Sequence, residues 1–107
     1  MSLDVHLEQV QPTEVYHANI THNLGKMAVE AGIYYPLWRP EEIDIKVAKD
    51  LIPFLVAGLK VLKAKPDEFK KFDAPNGWGT YENFVPWVER YLVACRRYPD
   101  AKISVSR

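Results

Sequence analysis

The chain has 107 residues, enough for one domain whose hydrophobic core needs neither disulfides nor a structural metal. Its 14 basic and 14 acidic residues give a formal net charge of zero, which argues against nucleic acid as a partner because nucleic-acid-binding domains usually carry excess positive charge. The single cysteine excludes an intrachain disulfide, and no apolar run is long enough for a membrane span. We expect one cytoplasmic domain over residues 1–107, with no signal peptide and no membrane contact.

The N-terminal segment alternates between apolar and polar residues, which predicts a β-strand. Residues 11–14 predict a turn with proline at its second position, and residues 15–19 predict a second strand that completes a hairpin. This arrangement collects apolar side chains on one face of the hairpin: Leu3, Val5, Leu7, Tyr16, Ala18 and Ile20.

The polar face of the same hairpin contains histidines and carboxylates. The predicted register places Glu8 opposite His17 and His6 opposite Asn19. Such a cluster could hold a metal, but its spacing matches no recognised ligand motif. We therefore favour a solvated cross-strand pair and expect no metal or other cofactor.

Residues 19–32 predict the first helix, capped by Asn19 or Thr21 and ended by Gly32 in a left-handed conformation. Apolar residues at helical spacing form its buried stripe: Ile20, Leu24, Met27, Ala28 and Ala31.

Gly25 lies on a different face of this predicted helix, beside His22 and Val29. A glycine costs a helix about 1 kcal/mol relative to alanine, which suggests close approach by a ligand, another helix or a second copy of the protein. We expect a homo-oligomer that covers this face; a tolerated glycine on a solvated face is the alternative.

Residues 33–39 predict an aromatic loop. A long helix is predicted from Pro40 to about Ala64, with Asp44 as a second capping choice and a kink at Pro53. Its stripe makes it the centre of the core: Ala48, Leu51, Ile52, Leu55, Leu59 and Leu62.

Residues 66–72 predict one or two helical turns, and residues 73–80 a glycine-rich loop around Trp78. Thr80 caps a last helix that runs to about Tyr98. The apolar stripe of this helix includes Cys95 as a core side chain and consists of Phe84, Trp87, Val88, Tyr91, Leu92 and Cys95. Residues 102–107 alternate again and should pair with the N-terminal hairpin. The expected fold is α+β, with about three helices packed on a small antiparallel sheet formed by the N-terminal hairpin and the C-terminal strand.

The chain contains no catalytic or phosphate-loop motif. It does contain aromatic side chains that could form the walls of a ligand site, namely Tyr34, Trp38, Trp78 and Tyr81. Polar side chains could orient the ligand: Asn19, His22, Asn23, Lys26, Arg39 and Arg107. Aromatic planes combined with arginines suit a nucleotide. We expect the site between the start of the first helix and the two aromatic loops, with the helix N-terminus facing an anion.

Several motifs resemble a group of small proteins, without an assigned activity, from phages and bacterial genomes. The resemblance covers nearly the whole chain and is carried by residues 19–28 (NITHNLGKMA), 31–34 (AGIY), 37–42 (LWRPEE), 76–81 (NGWGTY), 98–101 (YPDA) and 106–107 (SR). It implies a phage or prophage setting, hence the host cytoplasm, and it supplies no functional residues.

Three hypotheses follow. The first is a small-molecule binder, such as a phage anti-defence protein that sequesters a nucleotide signal of host immunity. The second is an interaction module that binds a protein partner or assembles with itself through the Gly25 face. The third is a small enzyme that uses His22 as a general base. Mass spectrometry of a ligand retained by the purified protein would separate the first from the others.

Overall fold

The computed structural model describes residues 2–9 and 13–107. In these two ranges the chain forms one three-stranded sheet of β1 (Ser2–Glu8), β2 (Glu14–Thr21) and β3 (Lys102–Ser106). Five α-helices of the described residues lie between β2 and β3: α1 (Gly25–Glu30), α2 (Tyr34–Trp38), α3 (Ala48–Ala64), α4 (Pro66–Lys70) and α5 (Tyr81–Arg97). A 3-10 turn precedes α1 at His22–Leu24, and another follows α2 at Pro40–Ile43.

The central strand of the sheet is β1, which pairs antiparallel with β2 and β3. Val5 lies opposite Ala18 of β2 and Val105 of β3, so the apolar residues of the three strands share one face. Helix α5 packs against this face, where the ring of Tyr91 stacks on that of Tyr16 with centroids 5.8 Å apart. The predicted α+β fold and the pairing of the two terminal segments are confirmed.

The register of the hairpin differs from the predicted one. His6 lies opposite His17, and the pairing passes from Leu7–Tyr16 to Glu8–Glu14 through an irregularity. The predicted register was therefore wrong by two residues. Because side chains alternate with a period of two, a shift of two residues leaves each side chain on its predicted face.

Residues 10–12 lie outside the described residues, and they include the first two residues of the predicted turn over 11–14. On either side of them, the backbone N–H of Gln9 donates to the carbonyl of Thr13 at 3.0 Å. Strand β2 then begins at Glu14, one residue before the predicted start.

The predicted start of the first helix at residue 19 was wrong. Strand β2 continues to Thr21, which pairs with Ser2, and α1 begins only at Gly25. Backbone pairing with β1 keeps Thr21 extended, while its Oγ1 accepts from the N–H of Asn23 at 3.2 Å and caps the 3-10 turn. The end of the helix is as predicted, with Gly32 at φ +78°, and the apolar stripe is buried.

Two elements before α3 also differ from prediction. The expected aromatic loop forms α2, and the long helix starts at Ala48 instead of Pro40. Asp44 adopts a left-handed conformation (φ 59°) after the 3-10 turn, and the chain then runs beside β3. Val47 bridges Lys102 there, so its extended backbone delays the helix.

Helices α3 and α5 each have 17 residues and pack on one another. We predicted a close approach at Gly25, but the tighter one is at Gly58 of α3. A Cβ atom at Gly58 would overlap Cγ2 of Ile33. A Cβ at Gly25 would lie 3.6 Å from the ring of Tyr34, an ordinary contact. No helix among the described residues combines the length and hydropathy of a membrane span.

Cys95 lies inside the core formed by these helices and has no exposed surface. Burial raises the pKa of its thiol to about 12, because a thiolate is poorly solvated there. The predicted role of Cys95 as a small core side chain is confirmed.

Candidate functional site

The described residues enclose a cleft of about 1100 Å³ between the end of β2, the loop of residues 73–80 and helix α5. We call it the Trp78 cleft. Its volume lies just above the range of about 300–1,000 Å³ that is usual for small-molecule pockets. Its polar and aromatic lining includes residues from all three walls: Asn19, His22, Asn23, Asn76, Trp78, Asn83, Trp87 and Arg90.

The Trp78 loop is built by its glycines and by an asparagine turn. Gly77 and Gly79 have φ values of +78° and +111°, which other residues rarely adopt. The side chain of Asn76 accepts from the backbone N–H of Trp78 at 3.0 Å, as in an Asx turn. The loop leaves 70% of Trp78 exposed, which is unusual for so large an apolar side chain.

The loop is docked on the segment that follows β2. Nδ2 of Asn23 donates to the carbonyl of Trp78 at 2.8 Å. A Cβ at Gly79 would lie 3.0 Å from Cγ2 of Thr21 and 3.2 Å from Cβ of Asn23. Two features therefore require glycine at position 79, namely its positive φ and this close approach. The position of Trp78 is held by Thr21 at the end of β2 and by Asn23 of the following turn.

Asn19 forms the second wall. Its backbone carbonyl accepts from Nε1 of Trp87 at 3.0 Å, and this hydrogen bond joins the sheet to α5. Its Nδ2 donates to Oγ of Ser2 at 2.9 Å and to Oδ1 of Asp4 at 2.8 Å. Both N–H groups of this amide are thus engaged, and its side-chain oxygen Oδ1 has no hydrogen bond among the described residues.

The third wall is α5, which sequence reasoning missed. Asn83, Pro86, Trp87 and Arg90 line the cleft and are separated by three, four and seven residues from Asn83, so they share one side of the helix. The apolar stripe of this helix predicts its buried face and does not predict a wall of a binding site. The polar row beside the stripe was the signal that could have identified the wall.

His22 is one of the residues that line the cleft, and it is hydrogen-bonded to Trp38. The indole N–H of Trp38 donates to Nδ1 of His22 at 2.8 Å. An indole nitrogen can only donate, so Nδ1 is unprotonated and neutral His22 carries its proton on Nε2. His22 can therefore offer the cleft a donor, which is the opposite of what a general base provides.

Four residues predicted for the ligand site form a separate cluster around Trp38. Tyr34 stacks on Trp38 with centroids 5.4 Å apart, and Arg107 donates to the Trp38 carbonyl at 2.8 Å. Arg39 pairs with Glu42 at 2.7 Å. Only 2% of Trp38 is exposed, because α2 turns its ring into the core. This cluster does not line the Trp78 cleft.

Lys26 and Tyr81 also lie away from the cleft. Nζ of Lys26 is 6.0 Å from the centroid of the Phe72 ring. The hydroxyl of Tyr81 donates to the carbonyl of Leu62 at 2.8 Å, so it fixes α5 to α3. The helix whose N-terminus we expected to face an anion, α1, begins at Gly25 and has six residues, and the anion site itself stays a prediction.

From the predicted set, the cleft brings together Asn19, His22, Asn23 and Trp78. With the residues of α5 they provide one exposed aromatic plane, several amides and one guanidinium. These groups can stack on a flat ring, bond to its polar edge and neutralise an anion. Comparisons of the chain with protein-family models, curated proteins and solved structures find no match.

Proposed function

We propose that the Trp78 cleft binds a small molecule that has a flat heterocyclic ring and an anionic group, such as a nucleotide. The observation that carries the proposal is the 70% exposure of Trp78 at the edge of a cleft rimmed by amides. The backbone of Trp78 is hydrogen-bonded to the side chains of Asn23 and Asn76, and a loop that is ordered before binding lowers the entropic cost of stacking a ligand on its ring.

The amides around Trp78 support a ring with a polar edge. No side-chain hydrogen bond engages the amide of Asn83 among the described residues, and Nδ2 of Asn76 is also free there, since only Oδ1 of that side chain accepts a bond. An amide offers both donors and acceptors, which is the combination that a nucleobase edge requires.

Arg90 supports the anionic group. It is exposed, it lines the cleft, and it forms no ion pair within residues 2–9 and 13–107. A guanidinium can bind phosphate through two parallel hydrogen bonds. In this proposal Arg90 binds the anionic group of the ligand, in place of Lys26 and Arg39.

The test is calorimetric titration of the protein with linear and cyclic nucleotides, after mass spectrometry of any ligand that it retains. Trp78→Ala should weaken binding by about 1–3 kcal/mol, the usual contribution of one base stacked on an aromatic ring. Arg90→Gln should weaken binding of the phosphorylated ligand and leave binding of the nucleoside nearly unchanged. Neither change should lower the melting temperature, because both side chains are exposed.

Two control variants use residues of the same type outside the cleft. Tyr35→Ala removes another exposed aromatic ring, and Arg96→Gln removes another exposed arginine of α5. Both should bind nucleotides as the wild type does. If no nucleotide gives heat, or if Trp78→Ala binds as tightly as the parent, the proposal is wrong.

The resemblance to phage proteins adds a biological role to this proposal, namely sequestration of a nucleotide signal of host immunity. A binder of this kind needs no catalytic group. Measured release of the intact nucleotide after denaturation would support sequestration, whereas a hydrolysed product would favour the enzyme hypothesis.

A protein partner is the second candidate function, and exposed apolar side chains favour it. Trp78, Val29 and Tyr35 are 70%, 56% and 49% exposed, and tryptophan and tyrosine are enriched at the energetic centres of interfaces. Self-assembly through the Gly25 face, on which Val29 is exposed, would form the homo-oligomer expected above. Sedimentation of wild-type and Val29→Asp protein at several concentrations tests it, and identical monomer masses would exclude it.

A further inference from the structure

The polar face of the hairpin brings two histidines and a carboxylate together. His6 and His17 are directly opposite each other in β1 and β2, and their rings stack with centroids 4.5 Å apart and an interplanar angle of 7°. Glu14 bonds to Nδ1 of His6 through Oε1. One ligand atom from each of these three residues lies within 4.8 Å of the other two.

The bulge in β2 explains why Glu14 belongs to this group. The pairing passes from Leu7–Tyr16 to Glu8–Glu14 and omits Val15. An extra residue in one strand reverses the side-chain alternation beyond it. Glu14 therefore joins His17 on the polar face, where regular alternation would have placed it on the apolar one.

A fourth residue, Asp4, orients His17. Oδ1 of Asp4 lies 3.2 Å from Nε2 of His17 and also accepts from Asn19. A carboxylate can only accept, so the proton of neutral His17 is on Nε2 and Nδ1 carries a lone pair that can bind a metal ion. In metal sites, ligating histidines commonly donate their second N–H to such a carboxylate.

We propose that His6, Glu14 and His17 bind a divalent transition-metal ion, for which Zn²⁺ is the appropriate probe. Two imidazoles and one carboxylate form a known ligand set for Zn²⁺, with water completing the coordination. Ca²⁺ and Mg²⁺ prefer sites made of oxygen ligands. The ligands are 26%, 46% and 48% exposed, so the ion can enter from solvent. None of the three ligands lines the Trp78 cleft, although Asn19 of that cleft donates to Asp4.

Zinc titration of the full chain, by calorimetry and by thermal unfolding with and without EDTA, tests the proposal. We expect one Zn²⁺ per chain and a higher melting temperature in its presence, because the ion binds only the folded hairpin. His17→Gln and Glu14→Gln should each weaken Zn²⁺ binding at least about tenfold. Their melting temperatures in EDTA should match that of the wild type, which shows that they fold.

The chain offers matched controls for both residue types. His22→Asn changes the one histidine outside the cluster, and Glu8→Gln changes the carboxylate that the sequence alone placed beside the histidines. Both should bind Zn²⁺ as the wild type does. The proposal fails if the wild type gives neither heat nor stabilisation, if His17→Gln binds with unchanged affinity, or if Zn²⁺ binds only by joining two chains.

Discussion

The indole N–H of Trp38 donates to Nδ1 of His22 at 2.8 Å and so joins α2 to the turn that precedes α1. Trp38 is almost fully buried, so its N–H depends on this single acceptor. The bond also determines which nitrogen of His22 carries the proton. A residue that the sequence suggested for catalysis is thus first of all part of the packing around Trp38.

We therefore expect His22→Ala to destabilise the fold by about 1–3 kcal/mol, the cost of a buried donor without a partner. His22→Asn is the control, because its Oδ1 can replace Nδ1 as the acceptor. Urea unfolding of the three proteins measures the effect, and equal stability of the alanine variant would show that the bond contributes nothing.

Gly58→Ala should destabilise the protein although alanine is the better helix former. The new Cβ would overlap Cγ2 of Ile33 and lie 3.2 Å from its Cδ1, and such overpacking costs about 1–3 kcal/mol. Gly25→Ala is the matched control and should be neutral or slightly stabilising. In a double-mutant cycle measured by thermal unfolding, Ile33→Ala should reduce the cost of Gly58→Ala; purely additive effects would contradict the overlap.

Deletion of residues 102–107 should destabilise the whole domain. It removes β3, which pairs with β1 from Asp4–Ser106 to Glu8–Lys102, and it uncovers the backbone of β1 as an edge. Arg107→Ala, which removes only the exposed pair with Glu41 and the bond to the Trp38 carbonyl, should cost far less. Circular dichroism melting of both variants compares them, and a truncated protein that melts like the parent would refute the role of β3.

Alkaline pH should lower stability through Cys95. Its pKa is raised from 9.0 to about 12 in the folded chain, so the unfolded chain releases this proton first as the pH rises. The contribution to stability is complete below pH 9 and is lost as the pH approaches 12. The native thiol should accordingly resist iodoacetamide at pH 9 and react only on unfolding; rapid native alkylation would contradict its burial.

Local sequence patterns determined the elements and their faces. Alternation identified the strands that the structure describes, helical spacing identified the buried stripes of α3 and α5, and a glycine, Gly32, ended α1 in a left-handed conformation as expected. These features depend on neighbours a few residues away. For the same reason the polar and apolar faces of the hairpin were predicted correctly despite a register wrong by two residues.

Contacts between distant residues decided the remaining features. Pairing of Thr21 with Ser2 delayed the first helix, and the bulge exchanged Glu8 for Glu14 beside the histidines. Packing of α5 against β2 places Arg90 in the lining of the Trp78 cleft, whereas Arg39 forms an ion pair with Glu42. The sequence alone determines which residue types are available and which face each one occupies. Only the tertiary structure decides which of them meet, because that depends on backbone pairing and packing across many intervening residues.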